Sequence, residues 1–258
     1  MLMSAILNIE NLEFSYPKTD GNDGYTISLP KLDLNPSDVI AITGVSGCGK
    51  STILECLALL RKATKVKQFS IQDYDVLALP YEKRELLRSG LLGFMPQTGG
   101  LIPYLTVFDN IKLQVQVALK QRATLQKELK GNSILTKDRV RDLLENSKTL
   151  AKDFGIDDLL KRFPHELSIG QRQRAVFLKS ISHKPSVILI DEPTSSLDPE
   201  HGQALFSNIV ELCQKTKVAA LVVTHDLHLV LKNLNKALDY QRVSATSGQF
   251  VLKQVKRA

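Results

Sequence analysis

The run GVSGCGKS at 44–51 constrains this chain more than any other stretch. It matches glycine, four residues, then Gly-Lys-Ser or Thr, the spacing of a phosphate-binding loop. Before it stands VIAIT (39–43), a short apolar run of the kind buried parallel strands use. After it comes STILECLALLRK, an apolar-rich helical stretch. Strand, glycine-rich loop and helix open a βαβ unit, which implies a parallel sheet with helices on its faces. Gly44, Gly47 and Gly49 let the backbone curl until successive N–H groups point inward, where the helix adds its positive end. Lys50 can reach the outer phosphates of a nucleotide, and the Ser51 hydroxyl suits Mg2+.

Two later apolar runs extend the pattern. VILI ends at Asp191, and VAALVV runs into Thr224 and His225. A carboxylate at a strand end lies on the edge where open α/β sheets collect ligands. Asp191 is thus placed to hold Mg2+ through water, and Glu192 to polarise an attacking water. LSIGQ (167–171) offers a hydroxyl, free N–H groups and a helix dipole, a set that caps a helix or binds an anion. One phosphate loop suffices for one nucleotide, so this turn is expected to meet the γ-phosphate held by another copy.

The first 35 residues read as strands, ILNIENLEFSYP and YTISLPKLDL, around a turn-rich KTDGNDG. From about 98 to 169 no buried strand is evident. There Val140, Leu143, Leu144, Leu150 and Phe154 keep helical spacing, and Gly155 is placed to end the helix. The expected fold is α/β: a mostly parallel P-loop core, an antiparallel N-terminal β part and an inserted helical part. One unit over 5–250 is expected, with core at 5–97 and 170–240, helices at about 98–169 and a basic tail at 251–258. No internal repeat is evident, hence one core.

Composition excludes several alternatives. Three cysteines (Cys48, Cys56, Cys213) are too few and too scattered for a disulfide framework or zinc site, which fits a reducing compartment. MLMSAIL lacks the basic and long apolar regions of a secretory signal. The uncharged stretch 91–108 carries Gln97, Pro96, Pro103 and three glycines, so it will not span a bilayer as a helix. The net charge of +7 permits nucleic acid, anionic lipid or phosphate as partner, or a merely solvated surface.

Taken in order, these stretches resemble the ATP-binding cassette ATPases over about residues 5–250. GVSGCGKST is similar to the Walker A motif, VILIDEP to Walker B, LSIGQ to the signature and SSLD (195–198) to the D-loop. Gln97 in GFMPQ matches the Q-loop glutamine, His225 the switch histidine and Tyr16 the aromatic that stacks on adenine. The resemblance implies a head-to-tail homodimer with two ATP and Mg2+ between the copies. It assigns Glu192, His225, Gln97 and Lys50 to catalysis. Tyr16, Gly44, Val45, Ser46, Gly47, Cys48, Gly49, Lys50, Ser51 and Thr52 would bind nucleotide, as would Ser168, Gly170, Gln171 and Asp198 from the partner. Ser51, Gln97 and Asp191 would organise the metal.

The resemblance also implies a subunit peripheral on the cytoplasmic face of the inner membrane, driving a separate permease and binding no nucleic acid. GLIPYLTVFDNI (100–111) is similar to the lipoprotein-releasing, macrolide-exporting and cell-division group. The alternative is a soluble cassette acting on nucleic acid or ribosomes, though such proteins carry two cassettes or coiled-coil arms.

The chain departs from the family pattern in four places. Ile169 replaces a glycine, and a β-branched residue resists positive φ. Lys179 stands at an arginine position. The Pro-Thr-x-Gly turn is missing from LRKATKVKQFS, and 120–136 reads as an extra segment. Cys48, among phosphate-binding amides, is expected to have a lowered pKa and ATP-protectable reactivity. His165, His183, His201 and His228 lack metal-ligand spacing and read as structural or solvated.

Overall fold

The structure is a computed structural model that describes residues 5–19, 24–130 and 137–255. Along the chain run β1 (Leu7–Tyr16), β2 (Tyr25–Leu34), β3 (Val39–Thr43), α1 (Lys50–Leu57), β4 (Gln68–Ile71), β5 (Tyr74–Asp75), α2 (Tyr81–Leu91) and β6 (Leu92–Met95). Then come α3 (Val107–Lys130), α4 (Lys137–Asp153), α5 (Ile169–Ile181), β7 (Val187–Asp191), α6 (Pro199–Thr216), β8 (Ala219–Val223), α7 (Leu227–Asn233), β9 (Lys236–Ser244) and β10 (Ser247–Gln254). The strands form one 10-stranded sheet in the order β5-β4-β1-β2-β10-β9-β3-β8-β7-β6.

Strands β9, β3, β8, β7 and β6 run parallel, as the βαβ reading requires. Their continuous apolar runs follow from burial on both faces. Val39, Ala41, Ile188, Ile190, Ala220 and Val222 pack into one core with Phe177 of α5 and Phe206 of α6. Ile40, Ile42, Val187, Leu189 and Leu221 turn the other way, onto Ile53, Leu54 and Leu57 of α1 and onto β1 and β2. A strand's two-residue period therefore builds two cores from one sheet. Each fully buried aliphatic side chain contributes roughly 1.5–3 kcal/mol.

At the other side of the sheet, β1 pairs antiparallel with β2 from Leu7↔Leu34 to Tyr16↔Tyr25, and β4 adds to β1's free edge. The helical part matches its sequence spacing. Leu143 and Leu150 of α4 and Phe154 just after it are buried, and Gly155 takes φ 60. Phe154 packs against Phe177 of α5 with ring centroids 5.2 Å apart.

The expected excursion at 120–136 is in part ordered helix. Residues 120–130 continue α3, where Arg122 donates to the carbonyls of Gly90 and Lys184 and so ties α3 to α2 and the end of α5. Residues 131–136 lie outside the described residues. The basic tail expected at 251–258 begins inside β10, paired with β9 from Ser247 to Gln254, and 256–258 lie outside the described residues. No helix among the described residues is long and apolar enough to cross a membrane.

Candidate functional site

Four loops leave the carboxyl ends of parallel strands at one sheet edge: after β3 (Gly44), β6 (Gln97), β7 (Glu192) and β8 (His225). That edge is where an open α/β sheet gathers ligands. A cavity of about 590 Å3 opens there, lined by Ser46, Gly47, Gly49, Lys50, Ser51 and Thr52 of the glycine loop and α1, with Tyr16, Gln97, Glu192 and His225. Ten of the expected site residues thus share one cavity.

The loop's curl is enforced sterically. Gly49 caps α1 at φ 99, and Gly44 takes φ 150 with the Tyr240 ring stem against it. Lys50, with its side chain largely buried, donates to the carbonyls of Gly44 (3.0 Å) and Val45 (3.1 Å), which holds its ammonium across the loop mouth. Gly44, Val45 and Cys48 do not line the cavity. Val45 points outward, 69% exposed.

Cys48 corrects the expectation of a reactive thiol. It is buried beneath the loop, its sulfur beside Gly44, and burial pushes its pKa above the ordinary thiol range although Lys50 pulls the other way.

Ser51 donates its hydroxyl to Asp191 Oδ1 at 3.1 Å, bringing two expected metal residues together. Burial raises the Asp191 carboxyl pKa, the Ser51 hydrogen bond opposes the rise, and the charges of Glu192 and Glu55 add to it. The carboxylate and hydroxyl, with Gln97 lining the same cavity as Ser51, offer oxygen donors of the kind that fit Mg2+, which keeps water and phosphate as its other ligands. Among the described residues no cluster of three or more His, Cys, Asp or Glu could hold a metal unaided.

Glu192 sits at φ 45, a conformation costing roughly 1–2 kcal/mol for a residue with a Cβ. Its N–H donates to Val223 O (3.0 Å), and its carbonyl accepts from the amide and hydroxyl of Ser195 (3.3 and 3.1 Å). The kink aims the carboxylate at His225, whose Nδ1 lies 3.1 Å from Oε2. The carboxylate is mostly sheltered while the imidazole is exposed, so the pair straddles the cavity wall. Tyr16, at the end of β1, lies edge-on to Phe14 and shares a hydrogen bond with the Thr52 hydroxyl, which fixes its ring above α1.

The remaining expected residues lie elsewhere: Ser168, Gly170, Gln171 and Asp198 do not line this cavity. Ser168 caps α5, accepting from Gln171 N–H while its own N–H donates to Gln171 Oε1 (3.0 Å). The helix-cap role is therefore real. It occupies a lone pair of the hydroxyl and leaves its proton free for an anion. Asp198 caps α6 in the same manner and pairs with His201 at 2.8 Å. Ile169 is the first residue of α5 and does not take positive φ in the single chain, where its side chain is 57% exposed.

Two supporting residues escaped sequence reasoning. Tyr240 of β9 hydrogen-bonds the Tyr25 hydroxyl behind the glycine loop, a long-range pairing with no local signal. Lys179, flagged only as a departure, donates to Gly100 O (2.7 Å) and ties the segment after Gln97 to α5.

A phosphate loop, a kinked carboxylate, a histidine and a glutamine around one cavity define a nucleotide-binding α/β cassette. The ABC transporter family profile matches residues 28–195, and the chain belongs to that family. It is an ATPase that binds ATP and uses Mg2+. It is 34% identical over 252 residues to the lipoprotein-releasing system ATP-binding protein LolD of Hydrogenovibrio crunogenus, covering 97% of this chain and 98% of that one. It is 29% identical over 220 residues to the methionine import ATP-binding protein MetN of Clostridium tetani, covering 83% of this chain and 62% of that one. Its fold matches the dimeric ATP-binding cassette MJ0796 bound to ADP and Pi with a TM-score of 0.73, at 21% identity, over 97% of this chain and 99% of that one.

Proposed function

We propose that this chain is the ATP-hydrolysing subunit of a membrane complex, working as a head-to-tail homodimer that drives a separate permease. The observation that carries this reading is the split site. The glycine loop, Asp191, Glu192, Gln97 and His225 converge, whereas the anion-suited turn at Ser168, Gly170 and Gln171 lies outside their cavity. A second copy would bring that turn, and Asp198 beside it, onto the γ-phosphate.

Lys50 and the amides of residues 44–52 hold the phosphates, and Tyr16 packs on the base. Mg2+, when bound at Ser51, Asp191 and Gln97, neutralises phosphate charge. Glu192 accepts a proton from the attacking water, and His225, already bonded to that carboxylate, orients it and meets the γ-phosphate. Closing and reopening of the dimer moves the helical part at 98–169, which pushes on the permease. The complex places the chain on the cytoplasmic face of the inner membrane. Kinship with a lipoprotein-releasing ATPase favours lipoprotein release over other export or mechanical work.

The test is a pull-down of tagged Glu192→Gln chain from detergent-solubilised membranes with MgATP. A multi-span membrane protein is expected. Ribosomal or nucleic-acid material without one would overturn the permease reading in favour of a soluble cassette.

A further inference from the structure

Asp239 is the last residue of β9 that pairs with β3, opposite Thr43, so Tyr240 stands beside the start of the glycine loop. A Cβ on Gly44 would lie 2.6 Å from the Tyr240 Cβ and 2.8 Å from the Cys48 sulfur. Gly44 is thus pinned between two side chains at φ 150. Its carbonyl, with that of Val45, accepts from the Lys50 ammonium. The stem of Tyr240 therefore bears on the peptide that holds Lys50 across the loop mouth.

The rest of the Tyr240 side chain is fixed on three sides. Its ring lies on Gly248, at an irregularity in the β9–β10 ladder, where a Cβ would overlap the Cε2, Cζ and hydroxyl of the ring. Only glycine leaves it room. The buried Phe250 meets the ring edge-on, with centroids 5.6 Å apart. The hydroxyl shares a hydrogen bond with that of Tyr25. That bond first, and burial second, push the Tyr240 phenol up to about 12, so the pair stays protonated at ordinary assay pH.

Tyr25 opens β2 two residues before Ile27, and strand alternation puts both on one face. Ile27 packs against Gly49 at the other end of the loop. So β2 supports the loop twice, directly at Gly49 and through Tyr240 at Gly44. Neither tyrosine lines the nucleotide cavity.

We propose that Tyr240, locked by Tyr25 and Gly248, is a positioning residue for the nucleotide. It holds the Gly44 peptide, and Lys50 with it, in the shape that receives phosphate before phosphate arrives. A loop ordered in advance spares the nucleotide part of the cost of ordering it, which strengthens binding of substrate and transition state alike. The effect therefore belongs in KM and not in kcat. The proposal rests on the assignment of phosphate to this loop above.

The test is calorimetric titration of the whole chain with MgADP, which gives both the affinity and the fraction of chains that bind, alongside KM and kcat for ATP. Tyr240→Phe and Tyr25→Phe keep both rings and remove the two ends of one bond. Each should weaken MgADP and raise KM about three- to tenfold, with kcat within about twofold and the binding fraction intact. The double variant should be no worse than the stronger single one, because one bond is counted in both. Gly248→Ala, which pushes the ring off its seat, should exceed either. Unchanged affinity in both Phe variants or in Gly248→Ala overturns the proposal, as do single effects that multiply in the double variant. So does a reduced binding fraction at unchanged affinity, the mark of a role in folding alone. Should one Phe variant fail to fold, the other still removes the whole bond. A Lys50→Ala chain that binds MgADP normally would remove the phosphate assignment itself, whereas lost binding there beside inert tyrosine variants would remove this proposal alone.

Discussion

Adding one methyl group to the glycine loop should have unequal consequences at two nearby positions. Gly49 sits at φ 99, and a Cβ there would lie 2.6 Å from Ile27 Cδ1 and 3.0 Å from its Cγ2. Gly47 sits at φ 76 with nothing within 4 Å of the same atom. Positive φ costs a residue with a Cβ roughly 1–2 kcal/mol, and overpacking a filled site adds roughly 1–3 kcal/mol. Gly47→Ala should therefore lose about 1–2 kcal/mol in urea unfolding, and Gly49→Ala about 2–5 kcal/mol. Ile27→Val removes the nearest offending atom at a cost of about 0.5–1.5 kcal/mol by itself. Combined with Gly49→Ala it should fall short of additivity by about 1 kcal/mol, because one contact is counted in both. Equal losses at the two glycines, or additivity within about 0.5 kcal/mol, would refute the claim that β2 shapes the loop from below.

Three further outcomes follow from individual side chains. His183 is fully buried and bonded to Leu92 O, and burial lowers its pKa from 6.5 to about 3. The unfolded chain binds its proton first, so stability is complete above pH 6.5 and falls as pH drops from there toward 3. The slope is about 1.4 kcal/mol per pH unit, and His183→Gln should flatten it in denaturation measured across that range. Cys48 should react slowly with a maleimide in the folded chain and fast in urea; rapid labelling without denaturant would contradict its burial. Ser51→Ala removes the hydroxyl bonded to Asp191 and should raise the Mg2+ needed for half-maximal ATPase about tenfold or more, read by Mg2+ titration; an unchanged requirement would remove Ser51 from the metal site.

Much of the fold was legible because its strongest signals are local. VIAIT, VILI and VAALVV could hardly be anything but buried strands once the glycine loop fixed a βαβ unit, and Asp191 and Glu192 followed from their place at a strand end. The antiparallel hairpin was legible from two alternating runs around one turn. What stayed hidden depends on distant partners. LGFM is only four residues long and becomes β6 by pairing with β7, and KALDYQRVS becomes β9 by lying on β3. Cys48 looked reactive because spacing places it among amides; its sulfur instead joins the core beside Gly44, against which Tyr240, nearly two hundred residues away, also packs. Ile169 looked strained because a pattern reserves that position for glycine, yet the local backbone is plain helix. The signature turn was legible as an anion site or a cap, and one chain displays the cap.

The account stands or falls on whether the site is completed by a second copy. Sedimentation of Glu192→Gln chain, blocked in hydrolysis, measures this directly. With MgATP it should move from the 28.7 kDa of one chain to twice that mass, remain single with ADP, and fail to pair when Ser168→Arg is added. A Glu192→Gln chain that stays single with ATP bound, while the unaltered single chain hydrolyses ATP at full rate, would contradict it.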